Sequence, residues 1–144
     1  MISRNIKFKR QWICALIRNN NTFKKLKTCF KRMVTNKVTE KGDLDLVLKQ
    51  NKQVLVLFCS SWCPFCRSFF PTFNSEIAKA CFEKVLRVYL EDYDDPLWEK
   101  YAIEAVPTVI LFENSLVSSR LDARLGWGLG EKQFREWIAK SKRL

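Results

Sequence analysis

Two residues separate Cys63 from Cys66 in the stretch Trp62-Cys-Pro-Phe-Cys66-Arg67. On a helix that spacing is about one turn, so both side chains share a face and their sulfurs can close a small disulfide ring. The residues just before, Val54 to Cys59, form an unbroken apolar run rich in Val and Leu. That is the pattern of a strand covered on both faces. Beyond the pair the period changes, and Phe69, Phe70, Phe73, Ile77, Ala80 and Cys81 recur at helical spacing. The pair therefore belongs to a strand-to-helix junction, with Cys63 at the turn and Pro64 in the first helical position. Proline suits that position because its missing N–H would have had no intrahelical partner. A sulfur at a helix start meets free backbone N–H groups and the positive end of the helix dipole, which favour its thiolate. Cys63 is thus expected to be exposed and nucleophilic, and Cys66 to lie deeper as the resolving thiol.

Two other uses of the pair explain less. Structural zinc takes four ligands, and this chain has no histidine and no second C-x-x-C, so no metal site is expected. Two passive core cysteines would leave Pro64 and the flanking Trp62 without a purpose. Dithiol redox chemistry accounts for all of these residues, and a C-x-x-C beside a strand–helix pattern reads that way.

Trp62-Cys-Pro-Phe-Cys66 after a buried strand resembles the active site of the thioredoxin family. Downstream, Tyr101-Ala-Ile-Glu-Ala-Val-Pro107-Thr-Val-Ile-Leu-Phe112 resembles that family's second landmark, an Ile/Val-Pro-Thr loop carrying a cis proline. The likeness spans about Met33 to Leu144. It implies a thioredoxin-like α/β fold, with a central mixed β-sheet flanked by helices on both faces. It also implies a thiol–disulfide oxidoreductase that reduces protein disulfides through a Cys63–Cys66 dithiol/disulfide cycle. No bound cofactor is needed, since electrons would come from a thioredoxin-reductase-type donor. Substrate contacts are implied at Trp62, Pro64, Phe65, Val106, Pro107 and Thr108. Trp62 would shield the sulfur, and a cis Pro107 would leave the backbone of Val106 free to pair with an extended substrate.

Two departures from the family pattern matter. Pro64-Phe65 replaces the Gly-Pro pair of general thioredoxins and is closer to the intervening pair of glutaredoxins, so a glutaredoxin-like or disulfide-isomerase-like enzyme is the alternative within the class. Leu57 occupies the position where typical members carry a buried acid behind the resolving cysteine. Neither Glu83, Glu91 nor Asp92 is obviously placed to replace it. Cys59, at the end of the strand, reads as buried packing rather than as a third redox thiol.

The elements that must hold this junction follow from periodicity. Val34–Val38 reads as a short first strand, and a helix capped near Asp43 turns Leu44, Val47 and Leu48 inward. The helix carrying Cys66 is expected to run to about Glu83, kinked at Pro71. A strand over Val85–Glu91, a short helix over Leu97–Ala102 and a strand over Thr108–Phe112 come next. A hairpin turn at Asn114-Ser115 leads into Leu116–Leu121, and an amphipathic helix begins near Gly130-Glu131.

A chain of 144 residues with 11 Phe and 5 Trp can build one real core, and none of its apolar runs approaches the roughly 18 residues of a membrane helix. Cys14, Cys29, Cys59 and Cys81 look unpaired, which fits a reducing compartment; a cytoplasmic monomer is expected. The net charge of +11 is confined to one end. Residues 1–41 hold 12 Lys/Arg and one acid, whereas residues 42–144 hold 14 of each sign. Residues 1–32 therefore form a basic extension to a thioredoxin domain at 33–144. That extension reads as a start-site artefact or disordered tail, a basic amphipathic surface, or an organellar targeting segment. The non-enzymatic alternative is an adaptor whose basic arm binds nucleic acid or an anionic membrane.

Overall fold

A strand with no polar residue in its interior must be the middle of a sheet, because only there are both of its faces dry. In the computed structural model, which describes residues 36–38 and 41–142, that strand is β2 (Gln53–Cys59). Its residues Val54 to Cys59 are no more than 1% exposed. Each large apolar side chain buried this way contributes about 1.5–3 kcal/mol. The chain divides into residues 1–32 and 33–144; the described elements all belong to the second unit. The readings made for residues 1–32, and for Val34 and Thr35, lie outside the described residues.

The element order is β1 (Asn36–Val38), α1 (Lys41–Gln50), β2, α2 (Pro64–Ala80), β3 (Lys84–Tyr89), α3 (Pro96–Lys100), β4 (Thr108–Glu113), β5 (Leu116–Leu121) and α4 (Glu131–Ser141). The five described strands lie in one mixed sheet in the order β1-β3-β2-β4-β5. β3 runs parallel to both β1 and β2, while β4 is antiparallel to β2 and to β5. Asn114 and Ser115 both adopt positive φ (52° and 67°), the twist that lets a two-residue turn match the strands it joins.

Strand alternation sorts the helices onto two faces. Phe58 of β2 and Phe112 of β4 both meet the Tyr101 ring at the end of α3, at 5.5 Å each. Lys100 of α3 in turn pairs with Asp45 of α1 at 2.6 Å. On the opposite face, Arg87 of β3 reaches Asn74 and the Phe70 ring of α2. There α2 and α4 are joined by an aromatic cluster. Phe134 packs edge-on against Phe69 at 4.9 Å, stacks on Phe73 at 5.6 Å, and continues to Trp137 at 6.2 Å. Glu76 of α2, 9% exposed, accepts from Arg135 of α4 at 3.0 Å and from Lys79 at 2.9 Å. Both partners hold its carboxyl below the ordinary carboxylate range, Lys79 first.

Several boundaries differ from the periodicity. The helix α1 starts at Lys41, so Asp43 falls in its first turn rather than capping it, still close to the positive end of the dipole. The helix α2 stops at Ala80, short of Glu83, because Cys81 takes a left-handed conformation (φ 55°) that ends the helical hydrogen-bond ladder. Pro71 lies inside it. Cys81 is disulfide-bonded, which corrects the expectation that it is unpaired. Spacing alone could not show this, since none of the other cysteines stands at a diagnostic distance from it in sequence.

Candidate active site

The chain leaves β2 at Cys59 and must turn into α2 within four residues. The turn is fastened on the solvent side by Glu91, just beyond β3. Its carboxylate accepts from the Ser61 amide at 3.2 and 3.3 Å and from the Ser61 hydroxyl at 2.8 Å, and its carbonyl accepts from Trp62 Nε1 at 3.2 Å. Ser60 turns inward, fully buried, and its carbonyl accepts the Cys63 amide at 3.4 Å. Cys63 then stands at the N-cap of α2 with extended backbone (φ −81°, ψ 116°), and Pro64 opens the helix. Its side chain does not cap the helix; the thiol instead donates to the carbonyl of Val106 at 3.6 Å.

Val106 precedes Pro107 in a cis peptide bond, and both are buried. The two family landmarks, 43 positions apart, are thus in contact through Cys63 and Val106. Thr108, also buried, turns its hydroxyl onto the Ala105 carbonyl at 2.7 Å and so braces the loop rather than facing solvent.

Cys63 is only 4% exposed, against the expectation of an exposed sulfur. The proline loop covers one side of it. It reaches the surface through a cavity of about 440 Å³, lined mainly by Trp62, Pro64, Phe65, Tyr93, Val106 and Leu125. Trp62, Phe65, Tyr93 and Leu125 are large apolar side chains left 39–80% exposed around this opening. Apolar side chains exposed together in this way suit contact with another apolar surface.

Cys66 is one turn on, fully buried, and both it and Cys63 are free thiols. Burial pushes the Cys66 thiol far above its ordinary value. The Ser60 backbone amide partly offsets this, whereas a hydrogen bond with the Cys63 side chain and the nearness of Cys63 and Cys59 add to it. Among the described residues no carboxylate is a cause of this shift. Leu57 is fully buried between Arg87 of β3 and Val109 of β4. The carboxylates considered from sequence are otherwise engaged or remote: Glu91 binds Ser61, and Glu83 accepts the Gln53 amide at 3.2 Å. Cys59 is buried, with its thiol donating to the Val88 carbonyl at 3.7 Å.

Residues 34–140 match the sequence profile of the family described as Thioredoxin. The chain belongs to the thioredoxin family. A thioredoxin of Rickettsia bellii is 35% identical over 107 residues, covering 73% of this chain and 96% of the relative. One from Mycoplasmoides gallisepticum is 31% identical, covering 62% and 86%. In three dimensions, a Plasmodium falciparum thioredoxin superposes with a TM-score of 0.62 at 23% identity, over 74% of this chain and 98% of that one, a likeness of fold. The protein is a thiol–disulfide oxidoreductase, as thioredoxins are. Family membership brings with it disulfide-containing substrates and a reductase as electron donor.

The structure adds cavity residues that the sequence reading missed: Tyr93, Trp98, Glu104, Arg124, Leu125 and Gly126. They come from the β3–α3 loop, α3 itself, the proline loop and the loop before α4. A sequence signal existed for the last of these, in the closely spaced Gly126-Trp127-Gly128 before α4. Arg124 and Gly128 form an isolated antiparallel bridge, and both Gly126 and Gly128 have positive φ (76° and 70°). A side chain on Gly128 would also strike Phe65, its Cβ lying 2.9 Å from the Phe65 Cβ. The hairpin therefore seats directly on the residue between the two cysteines.

Gly128→Ala is expected to cost about 1–3 kcal/mol through strain and this clash. Gly126→Ala, whose added methyl meets open space, should cost only about 1 kcal/mol. Adding Phe65→Gly, which removes the Phe65 Cβ, to Gly128→Ala should recover part of the loss; strictly additive denaturant-melt values would show that the two residues are independent.

A second prediction concerns pH. The buried Cys66 thiol stays protonated to higher pH when folded than when unfolded, where a thiol ionises near about 8.5. Unfolding thus releases a proton above that pH, so the contribution is whole below about pH 8.5 and declines as pH rises. Under reducing conditions, wild type should lose stability relative to Cys66→Ala by about 1.4 kcal/mol per pH unit above that point. Parallel curves from pH 7 to 10 would contradict the burial argument.

Proposed function

We propose that Cys63 is the attacking and Cys66 the resolving thiol of a protein-disulfide reductase. The supporting observation is the asymmetry of the pair: Cys63 lines a cavity open to solvent, and Cys66 is sealed beneath it with its proton held on. The Cys63 thiolate attacks one sulfur of a substrate disulfide; an S–S bond forms between enzyme and substrate as the substrate's own S–S bond breaks. The released substrate sulfur takes up a proton. Cys66 then gives up its proton and attacks the Cys63 sulfur, which frees the second substrate thiol and leaves a Cys63–Cys66 disulfide. Two electrons from a thioredoxin-reductase-type donor restore the dithiol. Once Cys63 has lost its proton it no longer donates to Val106, whose carbonyl becomes available to an extended substrate backbone. Trp62, Pro64 and Phe65 flank that backbone, and Pro107 and Thr108 hold Val106 in place.

Insulin-disulfide reduction tests the roles. Cys63→Ser should abolish turnover, while Cys66→Ser should accumulate a substrate mixed disulfide detectable by mass under non-reducing conditions. Turnover that survives in Cys63→Ser would reverse the assignment.

Resolution requires Cys66 to lose a proton with no carboxylate acting on it among the described residues, so this step should limit turnover. Leu57→Asp would place an acceptor on the face of β2 that bears Cys59, toward α2. It should speed mixed-disulfide decay near neutral pH by up to about 100-fold, at a cost of about 1–3 kcal/mol for the buried polar group. Rapid-mixing decay profiles that coincide for the two proteins between pH 6 and 9 would show that another group already takes the proton.

A further inference from the structure

The two walls of the Cys63 cavity differ in charge as well as in shape. One is a run of three aromatic rings: Trp62 lies 5.4 Å from Tyr93, and Tyr93 stacks on Trp98 at 6.0 Å. Both indoles are pinned, Trp62 to the Glu91 carbonyl and Trp98 to the Asp92 carbonyl at 2.9 Å. Tyr93 is 76% exposed between Asp92 and Asp94. Glu104, three residues before the cis proline, adds a carboxylate to the cavity lining. The ion pairs of the described residues engage Glu76, Asp45, Asp122, Glu136 and Glu131, but not Asp92, Asp94 or Glu104.

The other wall is the hairpin from Arg124 to Gly128. It brings one cation to the lining, and that guanidinium is drawn over its own Trp127 ring at 5.8 Å. Asp92 and Asp94, on either side of Tyr93 in the chain, and Glu104, whose charge also acts on Arg120, make no ion pair among the described residues, and carboxylates beside exposed aromatic faces make this opening attractive to a cation. Carboxylate repels carboxylate, while an ammonium or guanidinium gains from both the charges and the ring faces. The approach of a like-charged segment would be slowed for the same reason.

We propose that the cleft selects protein disulfides whose attacked cysteine is flanked by lysine or arginine, the side-chain cation resting against Tyr93 among Asp92, Asp94 and Glu104. This rests on the reading of Cys63 as the attacking thiol and adds to it the class of substrate. The selection acts on encounter and docking, so it appears in kcat/KM and weakens as salt screens the charges.

The full chain should be assayed on two disulfide peptides identical but for lysine or glutamate on either side of the cysteine, with the uncharged hydroxyethyl disulfide in parallel. The lysine peptide should be preferred by about tenfold in kcat/KM at low salt, falling toward parity at about 0.5 M salt. Asp92→Lys/Asp94→Lys should invert the preference toward the glutamate peptide, an outcome that loss of structure cannot produce; Asp92→Asn/Asp94→Asn/Glu104→Gln should bring the ratio close to one. Equal or glutamate-favouring rates in the wild type, with hydroxyethyl disulfide still reduced, would overturn the proposal and leave the thiol assignment standing. Failure to reduce even hydroxyethyl disulfide would overturn the thiol assignment itself.

Discussion

The site depends on one constraint: β2 ends and α2 begins with both faces of the strand already buried. Val54 to Cys59 cannot shift along the sheet, because each is paired with β3 on one side or β4 on the other and a slip of one residue would exchange the two faces. The junction is thereby fixed in space. Cys63 falls at the helix N-terminus and Cys66 one turn beneath it, without any cap from the Cys63 side chain. The difference between the two sulfurs follows from depth. One opens to a cavity, and the other is surrounded by protein that disfavours its charged form.

That junction is held from three directions. Behind it, Phe69, Phe73, Phe134 and Trp137 tie α2 to α4, with the Glu76–Arg135 pair at the edge of the cluster. In front, Glu91 grips Ser61 and Trp62. From the side, the cis-proline loop presents the Val106 carbonyl to Cys63, braced by Thr108. A turn tied at so many points holds the backbone of Cys63 and Cys66 in place while the two sulfurs close to bonding distance and part again.

Leu57 gives this thioredoxin a drier interior than the family pattern predicts. A buried carboxylate behind the resolving cysteine would have to be desolvated in the folded state, which costs stability and in return supplies a proton acceptor. Here the strand keeps its apolar side chain, and among the described residues no carboxylate acts on Cys66 in its place. Ser60, fully buried with its hydroxyl unpartnered among the described residues, is the remaining polar side chain of the turn on the inner side. The balance is tilted toward a stable core and away from rapid proton removal.

The sequence by itself determined the fold and located the Cys63–Cys66 pair at the strand-to-helix junction. Periodicity switching from the Val54–Cys59 run to the Phe69–Ala80 stripe, with Pro64 between, has one local solution, and Val106-Pro107-Thr108 locates the opposing loop. Local hydrogen-bond geometry also fixed Asn114-Ser115 as a turn and Gly130 as the start of the last helix. Depth, by contrast, is a property of what other segments lay on top. Cys63 reads as exposed from its position at a helix start and is buried because a loop 43 residues away covers it. The end of α2 at Ala80 turned on the left-handed conformation of Cys81, and the bond that Cys81 makes has no spacing signature. Tyr93, Glu104 and Arg124 carry no motif at all. They become part of the site only when the β3–α3 loop, the proline loop and the hairpin before α4 converge on it, because charges and rings distant in sequence acquire a shared field only in three dimensions.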